Sequence, residues 1–140
     1  MKKLSNKDRA LIAEAKRTAK IFIKEKWFCN ETQNLKNIST VGAALISKSG
    51  KIFSGPNIRH PYSSGASICA EYTAIAKAYS EGHREIDTIV AYWHKNKNKQ
   101  GILPPCGQCR ELLRIFGNPW VIIEKQNKIT KEKLNDLLPY

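Results

Sequence analysis

The order of patterned segments predicts an α/β fold, a mixed sheet with helices on both faces. Two observations carry this. Short apolar, β-branched runs alternate with longer amphipathic ones in the order α-β-β-α-β-α-β-α. The later strands are also separated by helical crossovers, which build sheets covered on two sides. The chain has 140 residues, 41% of them hydrophobic, with no internal repeat and no low-complexity tract, so it reads as a single domain over 1–140.

Ser5 is placed to cap a first helix running to about Phe28, with Leu11, Ala15, Thr18 and Phe22 at helical spacing and lysines mainly on the other face. Residues 29–38 are polar and read as a loop. Thr40 to Ser47 is a buried strand, Lys48 to Lys51 a tight turn, and Ile52 to Gly55 the returning strand of a hairpin. Pro56 to Gly65 is a Pro-, Ser-, Asn- and Gly-rich loop suited to shaping a pocket. Ser67 is the candidate cap of a helix that reaches about Glu81 and stops at Gly82; its many alanines suit close packing. Ile86 to His94 is a third strand, and Lys95 to Gly101 a basic loop. Pro104-Pro105 leads into a helix from about Gly107 to Phe116 with Gly117 at its end. Trp120 to Glu124 is a fourth strand, and Thr130 caps a short last helix.

The formal charge is +12, and nine Lys or Arg face three acids within the first 28 residues. Such a balance suits an acidic partner, anion steering or simply a solvated surface, and the wide spread of the lysines favours the last. No apolar run approaches the about 20 residues of a membrane span. The Met1-Lys2-Lys3 start leads into a charged helix rather than an apolar signal, so the expected location is the cytoplasm. Four cysteines in such a chain argue for metal or catalysis over disulfides; Cys29 reads as a small core residue.

The other cysteines fall in two short runs, Cys69-Ala70-Glu71 and Pro105-Cys106-Gly107-Gln108-Cys109-Arg110. Both lie near helix N-termini, whose partial positive charge and free N–H groups stabilise thiolates. A C-x-x-C pair can hold one metal from a single turn, and Cys69 completes one face of a tetrahedron. Three protein ligands leave a position for water, the mark of catalytic zinc. Glu71, two residues from a ligand, can hydrogen-bond that water without ligating. The alternative is a closed structural site with a fourth ligand from Cys29, His60, His83 or His94, leaving Glu71 as a helix surface residue.

The pattern C-A-E followed by P-C-G-x-C-R resembles the signature of the cytidine deaminase family. Val41-Gly42-Ala43-Ala44, the hairpin, Asn57 and the segment from Pro105 to Glu111 also come in that family's order. The resemblance implies a three-layer α/β/α sandwich, one Zn2+ per subunit held by Cys69, Cys106 and Cys109, and Glu71 as the catalytic proton carrier. Its chemistry replaces the amine at C4 of cytosine by oxygen and releases ammonia. It also implies a small-molecule cytosine nucleoside as substrate and a homo-oligomer, usually a tetramer with active sites near subunit contacts. Asn57, Arg59 and Ala70 become the candidate substrate contacts.

Three departures concern substrate. Nucleoside-specific members usually carry N-x-E before the zinc helix to grip the ribose, whereas this chain has Asn57-Ile58-Arg59. Either Arg59 enters the pocket and favours an anionic substrate, or it faces solvent and His60 or another group serves. Tyr72 stands where three-cysteine members often have Arg, which leaves Arg110 and the helix N-termini to offset the negative site. Glu111 replaces the usual Gln, and C-R-E with Asp87-Thr88-Ile89-Val90-Ala91 looks like the blasticidin S deaminase branch. Two other readings are a nucleic-acid-editing cytosine deaminase and a non-catalytic zinc-binding protein. Cysteine in the first ligand position and the lack of a stacking-aromatic series argue against the first; retention of Glu71 argues against the second.

Overall fold

The computed structural model describes residues 3–21, 40–60 and 63–138, with Ser64 by its backbone alone. Helix α1 (Asn6–Ala19) starts at Ser5, whose hydroxyl accepts from the Asp8 N–H at 3.2 Å while the Asp8 carboxylate accepts from the Ser5 N–H at 2.8 Å. This reciprocal cap satisfies two of the N–H groups that a helix start leaves open. The helix ends earlier than its periodicity predicts, because the Lys20 N–H turns back onto the Arg17 and Thr18 carbonyls. Residues 22–39, including Cys29 and the remainder of the expected helix and loop, lie outside the described residues.

Strands β1 (Val41–Ser47) and β2 (Ile52–Pro56) form the expected hairpin. Helix α2 (Ala70–Ser80) crosses to β3 (Ile86–Asn96), which is longer than predicted. The stretch expected as a basic loop instead folds back as β4 (Lys99–Leu103). Asn96 Oδ1 accepts from the N–H groups of Asn98 and Lys99, both at 2.9 Å, and so builds the turn from a side chain rather than from glycine. Helix α3 (Gly107–Leu113) tightens into a 3₁₀ turn ending at Gly117, whose φ of 101° favours glycine. After β5 (Trp120–Lys125) the chain forms β6 (Lys128–Lys133), not a helix capped by Thr130. Gln126 and Asn127 both take positive φ, the geometry of a two-residue hairpin turn, and Thr130 is buried within β6. A short 3₁₀ turn over Leu134–Leu137 follows.

The sheet has six strands in the order β2-β1-β3-β5-β6, with β4 paired to β3. One edge of β3 pairs with β1, antiparallel from Val41↔Trp93. Its other edge is shared: β5 runs parallel at Thr88↔Trp120 and Ile89↔Val121, and β4 takes over antiparallel from Ala91↔Leu103. The period-two alternation of these strands sorts their side chains into two cores. Ala44, Ile46, Val90, Tyr92 and Ile122 face α1 through Leu11, Ala15 and Ala19. Ala43, Leu45, Ile89, Ala91, Val121 and Ile123 face the opposite way, onto α2, α3 and the turns near Phe116 and Leu134. The result is the three-layer α/β/α sandwich with a mixed sheet. Gly42 allows the first layer to close, since a Cβ there would lie 2.3 Å from the Ala15 carbonyl oxygen. No described helix is long and apolar enough to cross a membrane.

Candidate active site and metal centre

Two helix starts meet at one point. Cys69 is the N-cap of α2 and Cys106 the N-cap of α3, each in extended backbone (ψ 148° and 171°). Their carbonyls accept the first helical bonds from Thr73 and Arg110. Cys69, rather than Ser67, therefore occupies the capping position; the Ser67 hydroxyl accepts from the His60 N–H at 2.9 Å, in the loop before it.

The Cys69 and Cys106 sulfurs are 3.9 Å apart and those of Cys106 and Cys109 3.5 Å, and all three lie within 4.8 Å of one another. A tetrahedral zinc with bonds of about 2.3 Å would set its sulfurs about 3.8 Å apart. The thiols therefore fit one Zn2+ per subunit, with a fourth position not supplied by any His, Cys, Asp or Glu of this cluster among the described residues. His60, His83 and His94 lie outside it. His83 packs on Phe53, and His94 bonds Gln100 at 3.1 Å.

The electrostatics are those of a partly dry nest of crowded acidic groups, in which burial works against charge. Burial first, then the neighbouring Cys106, pushes the Cys69 thiol up. Cys109, wholly buried, is pushed far up by desolvation and then by Glu71. At Cys106 desolvation is outweighed by the Cys109 and Gln108 backbone N–H groups and the two other thiols, so its net shift is downward. Glu71, in the first turn of α2, is 6% exposed, and burial raises its carboxyl above the ordinary glutamate range. The Tyr72 phenol is likewise raised, by burial and then by the thiolates. Arg110 donates through Nε to the Pro105 carbonyl at 2.9 Å and through its terminal nitrogen to the Leu137 carbonyl at 2.7 Å. It thus braces the cysteine loop against the C-terminal turn.

A cavity of about 280 Å³ opens over this centre. Asn57, Arg59, Ala70 and Glu71 lie in its wall with Cys69 and Cys106. Asn57 Oδ1 accepts from the Thr40 and Val41 N–H groups at 3.0 and 3.1 Å, which fixes its carboxamide against the start of β1. Arg59 is exposed at the wall. Tyr72 instead lines a separate apolar groove, and Glu111 is a surface residue paired with Arg114 at 3.1 Å. Sequence reasoning passed over Gln108, Leu103 and Pro104, which also line the cavity. Gln108 could have been noticed from its place inside C-x-x-C; Leu103 and Pro104 were obscured by the misread hairpin.

The model of the cytidine and deoxycytidylate deaminase zinc-binding region matches residues 10–125. The chain belongs to this family. Among proteins of the deaminase family, a blasticidin-S deaminase of Bacillus cereus is 36% identical over 104 residues, spanning 71% of this chain and 74% of that one. A probable cytidine deaminase of Dictyostelium discoideum is 40% identical over 100 residues, and there the match spans 71% of this chain and 65% of the relative. The crystal structure of a Burkholderia pseudomallei cytidine deaminase superposes with a TM-score of 0.67 at 28% identity, covering 97% of this chain and 98% of that one. A Bacillus anthracis cytidine deaminase shares the fold with a TM-score of 0.73 over 94% of this chain and 86% of that one. The deaminase fold thus extends well past the two cysteine runs.

Proposed function

We propose that this protein is a zinc-dependent hydrolytic deaminase that converts the cytosine ring of a free nucleoside or nucleoside analogue to uracil. The observation that carries this is the convergence of three thiols within 4.8 Å, two of them sharing one cavity wall with the buried Glu71. When bound, Zn2+ supplies Lewis acidity that lowers the pKa of water from 15.7 towards about 7. Glu71 takes a proton from the attacking water, delivers it to the ring nitrogen next to C4, and later protonates the departing amine. The C4–N bond breaks, C4 gains its oxygen, and ammonia leaves. A carboxyl raised by burial suits this shuttle, because proton transfer is most effective when the carrier's pKa approaches the working pH. Cys69, Cys106 and Cys109 are the metal ligands, and Asn57, Arg59 and Ala70 contact the substrate.

The domain is the whole of 1–140, acting in the cytoplasm as a homo-oligomer, with four chains per particle. Ile68, Tyr79 and Ile115, exposed by 42%, 51% and 70% around the groove beside α2 and α3, support such self-association. The test is an absorbance and ammonia-release assay of the zinc-loaded chain with cytidine, deoxycytidine and blasticidin S. Glu71→Gln serves as the blank and should lose about 10²-fold or more in rate while retaining zinc. Turnover of none of the three above that blank refutes the reading.

A further inference from the structure

Arg59 stands at the metal cavity as a cation with no counterion among the described residues. Its backbone is pinned on both sides. Ile58 exchanges N–H···O bonds with Ile68 at 2.9 and 2.8 Å, and the His60 N–H donates to Ser67 Oγ at 2.9 Å. Ser67 and Ile68 lead directly into Cys69, so the stem of Arg59 is tied to the segment that carries a metal ligand. Among the described residues Arg59 forms no ion pair and no hydrogen bond. By contrast Arg17 and Arg114 bond carboxylates, and Arg84 and Arg110 bond backbone carbonyls. Among the described residues the other charged side chain in the cavity wall is Glu71, buried at the metal end.

We propose that Arg59 makes this site selective for cytosine nucleosides bearing an anionic group, phosphate or carboxylate, on the sugar. The inference rests on the deaminase reading of the same cavity. A cavity of about 280 Å³ is at the small end for ligand sites. The base must reach Glu71 and therefore fills the buried end, which leaves the sugar substituent towards the rim where Arg59 is exposed. A guanidinium offers parallel donors that match two oxygens of a phosphate or carboxylate, and its charge is permanent. Anchoring the Arg59 backbone reduces the ordering required when the anion binds. The formal charge of +12 adds long-range attraction for the same ligands.

The experiment compares kcat/KM for cytidine, cytidine 5′-monophosphate and cytidine 5′-carboxylate on the zinc-loaded full chain and on Arg59→Gln and Arg59→Lys. At least one anionic compound should exceed cytidine by about tenfold to hundredfold, the range of a charge-assisted hydrogen bond. Arg59→Gln should bring that ratio towards one, Arg59→Lys should keep part of it, and added salt should shrink it. Which anion leads identifies phosphate or carboxylate as the source. Calorimetric titration of the same compounds into zinc-loaded Glu71→Gln, with and without Arg59→Gln, reads binding without chemistry. Arg59-dependent preference for an anion without turnover of any compound upholds this inference and removes the deaminase reading. Turnover or binding with no anion preference, a preference unchanged in Arg59→Gln, or no binding at all overturns it.

Discussion

Cys69 and Cys106 bring their sulfurs to 3.9 Å across 37 positions of sequence, each from the first step of a different helix. The metal centre is thus a junction of two helix starts, and its properties follow from what holds those starts together.

The thiol electrostatics set a pH dependence for metal uptake. Cys69 and Cys109 are pushed up, by burial first and then by Cys106 and by Glu71 respectively, so without metal they hold their protons at neutral pH. Zinc binding requires thiolates and must expel those protons. Apparent zinc affinity should therefore fall roughly hundredfold per unit as pH drops through neutral, for the two protons released. Competition with a chromophoric chelator between about pH 6.5 and 8 reads this, and a flat affinity would contradict the thiol assignment. Cys109→Ser should reduce bound zinc by elemental analysis.

Arg110 acts on the same centre at one remove. Its bonds to the Pro105 and Leu137 carbonyls hold the loop from which Cys106 and Cys109 project. Arg110→Gln should weaken zinc binding by roughly 10- to 100-fold, as loss of ligand support does elsewhere. Chelator competition combined with far-ultraviolet circular dichroism separates this from unfolding. Unaltered affinity would show that the brace is dispensable.

Much of this cysteine cluster was legible because its thiols sit at or near the beginnings of helices, and proline, glycine and the C-x-x-C spacing mark the start of α3 locally. The β1–β2 hairpin and β3 were legible for a similar reason, since β1 and β3 are rich in apolar residues and Lys48-Ser49-Gly50-Lys51 marks the turn between β1 and β2. β4 was not: Lys99-Gln100-Gly101-Ile102-Leu103 buries only Ile102, and its pairing depends on β3 outlasting β5. β6 was hidden in the same way, because Lys128 to Lys133 buries Thr130 alone and looks like a charged helix start. Edge strands draw their order from partners the local pattern does not reveal.

One long-range relationship illustrates this further and carries a stability prediction. Lys131 on β6 bonds the carboxylate of Asp8 on α1 at 2.8 Å, with the two side chains 12% and 3% exposed. Desolvation raises the Asp8 carboxyl, but the bonds from Lys131 and Ser5 outweigh it, and its pKa lies below the ordinary value. The stability it contributes is present above the unfolded carboxyl pKa of about 3.9 and disappears as pH falls through the lower folded value. Asp8→Ala should cost about 3 kcal/mol near neutral pH, combining an uncompensated Lys131 with a lost helix cap. Urea unfolding of wild type and variant should converge between about pH 5 and pH 2; a constant difference would count against the pairing.

Gly42 offers a steric test. An added Cβ would meet the Ala15 carbonyl oxygen at 2.3 Å and the Ala19 nitrogen at 2.4 Å, both backbone atoms of α1. Neither can swing aside, so Gly42→Ala must lift the helix from the sheet and should destabilise by about 1–3 kcal/mol or more. Thermal melts check this. A variant as stable as wild type would show that α1 sits further from β1.

The sharing of one β3 edge by two strands bears on which insertions the enzyme tolerates. From Ala91↔Leu103 to His94↔Gln100, β4 is clamped to β3 in one register, and its last residue stands two positions before Pro105. The β3–β4 turn lies at the far end of that clamp, so it can lengthen, shorten or change its lysines without moving a sulfur atom. A single residue added between Leu103 and Cys106 has no such buffer and would rotate the start of α3 out of reach of Cys69. The hairpin works as a ruler with one loose end and one fixed end, and the cysteine cluster is measured from the fixed one.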